Sequence, residues 1–160
     1  MKKILIYSLP GFLSLLFMGC GMAGDKKYAE VAAEAFLKER LEQGGYGSKD
    51  QYSDIFWENT KEEKWEGIKK LVSKAMGQIK GYSLNTWNIE KKANTDGVSG
   101  TFVTLLYDVE YERGKGQETI TMHRGLGFEE FKILGLNFTS DEIQKLIDEG
   151  VEKVVNEKSE

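Results

Sequence analysis

The sequence predicts an α+β domain: helices first, then an antiparallel sheet of about four strands, then an amphipathic helix at the C-terminus. Three stretches of different period carry this. Apolar residues repeat at three- and four-residue steps as far as Ile79, alternate with polar ones from about residue 83 to 138, and return to helical steps after Ser140. A block of helices followed by a block of strands packs as segregated layers, because a parallel sheet needs strands and helices to alternate.

Residues 26–42, KKYAEVAAEAFLKERLE, form the first expected helix. Ala29, Ala32, Ala33, Phe36, Leu37 and Leu41 share one side, with Glu and Lys opposite. Asp25 stands at its N-cap and Gly44-Gly45 ends it. The Gly-rich stretch 44–48 is a loop within one helical layer and not a domain boundary. Residues 50–57 carry Ile55, Phe56 and Trp57 on a short helix. Residues 61–79 form a second long helix whose stripe is Trp65, Ile68, Val72, Ala75, Met76 and Ile79, with Gly81 after it. Strands are expected at 83–92, 100–111, 118–124 and 131–138, with ERGKGQ (112–117) as the turn between the second and third. Thr139 to Glu142 has the form of a capping box, Thr139 at the N-cap and Glu142 at N3. It opens the last helix through Ile143, Leu146, Ile147, Gly150, Val151 and Val154.

A turn centred on Gly114 and Lys115 sets Val109 opposite Ile120 and Tyr107 opposite Met122. Val103, Leu105, Tyr107, Val109, Ile120 and Met122 then share an apolar face. Thr104, Asp108, Glu110, Thr119, Thr121 and His123 share the other, with Phe102 and Leu106 at one end. Such alternation puts one face in the core and leaves the other mostly in water. Strand 131–138 is apolar on both faces, Leu134, Leu136 and Phe138 on one and Phe131 and Ile133 on the other. Phe102, Leu106, Phe131 and Ile133 therefore form a candidate interaction patch. The last helix is expected to dock on a sheet, its own or a partner's, since an isolated helix of this length is marginal in water.

The N-terminus reads as an address. Lys2 and Lys3 precede an apolar run, Ile4 to Met18, the layout of a secretory signal. Fifteen residues interrupted by Pro10 fall short of the roughly 20 that a membrane-spanning helix needs. The run ends in Phe17-Met18-Gly19-Cys20, and Cys20 is the only cysteine of the chain, so it has no internal disulfide partner. This segment resembles the bacterial lipobox, with Phe17 where leucine is usual. The resemblance implies diacylglyceryl transfer to the Cys20 thiol, cleavage before it and acylation of the new amino terminus. It implies a lipoprotein anchored in the bacterial cell envelope, in the outer membrane if the source is Gram-negative, because Gly21 is not the aspartate that favours inner-membrane retention. The expected division is a signal at 1–19, the lipidated cysteine and a short tether at 20–27, and one α+β domain at 28–156. Two or more acyl chains hold stably, each buried CH₂ contributing about 0.8 kcal/mol.

Charge excludes one class of partner. The formal charge is −4, and −6 once Lys2 and Lys3 are removed with the signal. Nucleic acid is not an expected partner, since phosphate backbones are met by clustered Lys and Arg. The helices, Glu118-Thr119-Ile120-Thr121 and Phe131-Lys132-Ile133-Leu134-Gly135-Leu136 resemble an uncharacterised family of bacterial exported domains over about residues 28–138. In that family the last strand usually carries Trp and Tyr where this chain has Phe131 and Leu136. The resemblance implies the cystatin-like fold shared with nuclear transport factor 2-like proteins, in which helices fill the hollow of a curved antiparallel sheet. It transfers no catalytic residue.

Few residues carry chemistry. His123 is the only histidine. On the expected register it lies opposite Leu106 and diagonal to Asp108, so His123, Asp108 and Glu110 form a speculative polar face, with an acid–base pair as its sharpest reading. A solvated sheet face is the plainer reading, and then His123→Ala costs well under about 1 kcal/mol. No metal motif, nucleophile turn or P-loop is present, so neither metal nor cofactor is expected. Trp65 lies squarely in a helical stripe and reads as core. Tyr82, Trp57 and Trp87 fit either core or the lining of a pocket. The expected function is a non-catalytic interaction or envelope-assembly module that meets the membrane through its anchor and an envelope protein through its surface. The alternative is a small-molecule-binding or isomerase-type pocket protein. An aromatic-lined hollow of several hundred Å³ would favour the latter, and a filled core the former.

Overall fold

The computed structural model describes the backbone of residues 18–95 and 98–157, and the side chains of residues 22–93 and 98–149. Residues 1–17, which make up most of the expected signal, and the side chain of Cys20 lie outside the described residues. The order is α1 (Met18–Gln43), a single 3-10 turn (Lys49–Gln51), α2 (Asp54–Asn59), α3 (Glu62–Met76), β1 (Ile79–Thr95), β2 (Val98–Tyr111), β3 (Gly114–Arg124), β4 (Lys132–Thr139) and α4 (Asp141–Glu157). The strands make one antiparallel sheet in the order β1-β2-β3-β4. The α+β class with its four-stranded sheet is as the sequence predicts. One face of the sheet carries the core with α1, α2 and α3, built around Phe36, Leu37, Trp65, Met76, Leu105, Tyr107, Ile120 and Ile133.

Several expectations are corrected. Asp25 is not an N-cap, because α1 is helical from Met18. The Asp25 carboxylate instead accepts from Arg124 Nη2 of β3 at 2.5 Å and pairs with Lys91 Nζ of β1 at 2.8 Å. Burial alone would raise the pKa of Asp25, but its bonds to Lys91 and Arg124 outweigh this and hold it below the ordinary carboxylate value. Helix α3 ends at Met76 because Gly77 takes φ 76°, which a side chain would resist, and Ile79 opens β1 instead of closing the helix. The N-cap of α4 is Ser140, one residue after the expected Thr139: its Oγ accepts from Ile143 N at 3.0 Å.

The β2–β3 hairpin keeps the expected faces and loses the expected register. Tyr111 pairs with Gly114, so the turn is Glu112-Arg113, and Val109 faces Gly116 while Leu105 faces Ile120. The turn is pinned from outside the hairpin. Glu112 N donates to Gln78 O and Arg113 N to Met76 O, while the Arg113 guanidinium caps α3 at Ser73 O and Lys74 O. Gly116 is no turn residue: a Cβ there would lie 2.8 Å from Thr139 O, so β3 needs glycine where the chain entering α4 crosses it.

A β-bulge explains the two-sided apolar pattern of β4. Thr121 pairs with Gly135 but Met122 with Ile133, so Leu134 is the extra residue. Ile133 thereby joins Leu136 and Phe138 on the core side. Ile133 and Phe131 are buried, so neither belongs to an interaction patch. With that apolar face absorbed, α4 docks on α3 and not on the outer sheet face. Ile143 is buried, Leu146 packs on the core, and Ser140 Oγ lies 3.1 Å from Met76 Sδ. Truncation after Thr139 is expected to lower the melting temperature and create binding of a hydrophobic dye, since it uncovers Met76 and the end of α3. Dye fluorescence with thermal melting checks this, and an unchanged melt would mean that α4 contributes nothing to the fold.

Candidate functional site

The structure separates the residues of the speculative polar face. Asp108 lies opposite Gln117, six residues along β3 from His123. Its carboxylate accepts from Gln117 Nε2 at 2.9 Å and Asn85 Nδ2 at 2.7 Å, and these two bonds lower its pKa. Glu110 pairs with Lys115 at 3.2 Å. Asp108, Glu110, Lys115 and Gln117 line a shallow open depression of about 710 Å³. No acid–base pair forms with His123.

His123 lies opposite Phe102, not Leu106, and is buried. The Phe102 ring tilts over its imidazole at 4.7 Å between centroids, and Nε2 lies 3.1 Å from Ser99 O. A carbonyl oxygen only accepts, so Nε2 is the donor of this bond. Gly100 makes the burial possible. Its φ is 139°, and a Cβ there would lie 2.3 Å from Arg124 O and 2.9 Å from His123 Nε2. His123 forms one wall of a cleft of about 460 Å³ with Ser53, Asp54 and Ile55 at the start of α2 and Phe128, Glu129 and Lys132 from the β3–β4 connection. The expectation of a wet, replaceable histidine is therefore revised. His123→Ala is expected to cost about 1–2 kcal/mol through the lost bond and ring contact, measured by chemical unfolding. A change near zero would show that neither contact matters.

Sequence reasoning missed the second polar constellation. Arg40 on α1 and Glu118 on β3 are 4% and 0% exposed, and Arg40 Nη1 donates to Glu118 Oε2 at 2.5 Å. The Tyr111 hydroxyl donates to the other oxygen, Oε1. The guanidinium lies 4.3 Å from the Tyr46 ring centroid, 5.4 Å from Phe36 and 5.7 Å from Phe138, within reach of cation–π attraction. Burial works against the Arg40 charge, but the Glu118 carboxylate outweighs it and raises the pKa. Burial first, and then the neighbouring Glu118 charge, drive the Tyr111 hydroxyl far above its ordinary value, so it stays a donor. A cleft of about 240 Å³ reaches Arg40 and Tyr46 between Gly44-Gly45 and Gly77. Both carboxylate oxygens of Glu118 are engaged, which makes the trio a lock between helix layer and sheet. The signals were present: Arg40 continues the stripe four residues after Phe36, and Glu118 has the parity of Ile120 and Met122.

The aromatics divide. Trp65 is core, edge-on to Tyr46 and Phe56 at 5.7 and 5.4 Å. Trp57 is half-buried, and its Nε1 donates to Lys49 O. Trp87 is 45% exposed on edge strand β1, on the same face as its cross-strand partner Leu105. Phe102 and Leu106 remain half-buried on the outer face. Among the described residues no cluster of His, Cys, Asp and Glu has the form of a metal site. Comparison with protein-family models, with curated proteins and with solved structures finds no match for this chain.

Proposed function

We propose that this chain is a lipid-anchored module of the bacterial cell envelope that works by contact with another envelope protein. The observation that carries this is where the aromatic and charged residues are spent. Phe36, Trp65, Tyr107 and Met76 fill the hollow of the sheet, and the buried Arg40, Glu118 and Tyr111 side chains are spent on one another. What faces outward is a broad sheet surface of Thr104, Thr119 and Thr121 around half-buried Phe102 and Leu106. A polar-rimmed apolar spot of this kind suits protein contact. The anchor rests on the lysine-led apolar run and the solitary Cys20. Gly21 favours the outer membrane in a Gram-negative source.

A second reading has one observation in its favour. The cleft beside His123 is large enough for a small ligand, and the imidazole forms part of its wall.

Metabolic labelling with a clickable fatty acid tests the anchor. Wild-type protein is expected to take up label, and Cys20→Ala to take up none and leave the membrane fraction. Unlabelled wild-type protein that still sediments with membranes would overturn the anchor. A photo-crosslinking residue at Leu106 tests the contact surface. A discrete adduct that is absent when the residue is placed at Lys38 supports the outer face, and no adduct in intact cells refutes it.

A further inference from the structure

The anchor end of the chain and the most exposed apolar loop lie at the same end of the domain. Asp25 of α1 is bound to Arg124, the last residue of β3, and to Lys91 near the far end of β1. Cys20 stands five residues before Asp25 on the same helix, about 8 Å further out at 1.5 Å per residue. The β3–β4 connection begins at the residue after Arg124. There Phe128 N donates to Gly125 O at 3.2 Å, closing a four-residue turn, and Gly127 takes φ 82° at its third position, as a type II turn requires. Leu126 is 72% exposed at the tip and Phe128 is 73% exposed beside it. Met22, on the helix between Cys20 and Asp25, is also exposed.

We propose that Leu126 and Phe128 form a second membrane contact, a short apolar wedge that enters the lipid interface beside the point where the lipidated chain emerges. This rests on the lipid anchor proposed above. A lipid surface is the occupant because Cys20 stands at this end of α1, and acyl chains on it would bring the loop within reach of the bilayer. Two large apolar side chains on a tight turn match the shallow depth of interfacial insertion, about 5–10 Å. The surroundings suit the headgroup layer. Lys91 and Arg124, which share Asp25, and Lys92, paired with Glu90, lie on the adjoining strand ends, while Glu129 and Glu130 follow Phe128 and limit insertion to the turn itself. The wedge would fix orientation: an anchor alone lets the domain swivel, whereas two contacts hold the sheet at one angle to the membrane.

The test uses the full-length, processed protein in purified lipid vesicles that contain no other protein. An acylated Cys20 has no free thiol, so Leu126→Cys and Lys38→Cys each supply a single site for an environment-sensitive dye. Lys38 lies 18 residues after Cys20 on α1, towards the opposite end of the helix. The expected result is a blue-shifted dye at position 126, quenched by nitroxide-labelled phospholipid, with the dye at 38 unshifted and unquenched. Position 126 reading as water-exposed as position 38 would overturn the wedge. So would a blue shift that nitroxide lipid does not quench, since the loop would then be covered by protein. Intact mass separates this from failure of the anchor. If the purified chain carries no acyl mass, the anchor is wrong, and Cys20→Ser with Leu126→Cys decides the wedge alone: vesicle-dependent quenching upholds it and no quenching overturns it.

Discussion

Glu118→Ala is expected to remove about 3–5 kcal/mol of stability, the cost of leaving a buried charge without its partner. Domains of this size are stable by about 5–15 kcal/mol in all, so this one change takes a large share and brings the protein close to unfolding. Arg40→Ala should cost a similar amount, because Glu118 is then the orphan, with only the Tyr111 hydroxyl to satisfy it. The informative variant removes all three polar partners. Arg40→Met with Glu118→Leu and Tyr111→Phe leaves no unpaired group, and apolar replacement of a buried pair is often neutral or better. Urea unfolding of the single and triple variants measures this. If the singles cost less than about 1 kcal/mol, water reaches the pair and the lock described above is wrong. The exposed pair Lys38–Glu42, with side chains 66% and 57% exposed at 3.8 Å, is the internal control and should contribute almost nothing.

Trp65→Ala is expected to cost about 3–5 kcal/mol, as large aromatic truncations in a packed core do. Trp65 is 4% exposed and meets Tyr46, Tyr52 and Phe56 at centroid distances of 5.4–5.8 Å. Tyr46 also faces the Arg40 guanidinium, so the cavity opens beside the buried ion pair, and the two perturbations should not be additive. Trp87→Ala, with the same change in volume, should shift stability by no more than about 0.5 kcal/mol, because that ring is half in water. Near-UV circular dichroism and denaturant unfolding compare the two. Equal effects would mean that Trp87 is packed in solution and that the edge of the sheet is covered.

The order of elements, the helical stripes and the two faces of the hairpin were all legible in the sequence. They depend on local periods: 3.6 residues in a helix and two in a strand, which each segment displays by itself. Parity is robust in the same way. The β2–β3 register expected from the glycines is displaced from the true one, yet every residue keeps its face, because the displacement is even.

What tertiary structure alone decided is whatever needs a distant partner. The turn sits at Glu112-Arg113 because the end of α3 and the start of β1 hold it there, which no feature of the hairpin itself announces. The bulge at Leu134 turns an apparently two-faced apolar strand into a one-faced one and removes Phe131 and Ile133 from the surface. Asp25 is read as a cap from its position before a helix, but it works as a clamp because Arg124, 99 residues away, lies beside it. Arg40 and Glu118 are 78 residues apart, and each alone looks like one more surface charge. Burying a charge is costly unless its partner arrives with it, so the meaning of such a residue belongs to the pair, and only folding brings the pair together.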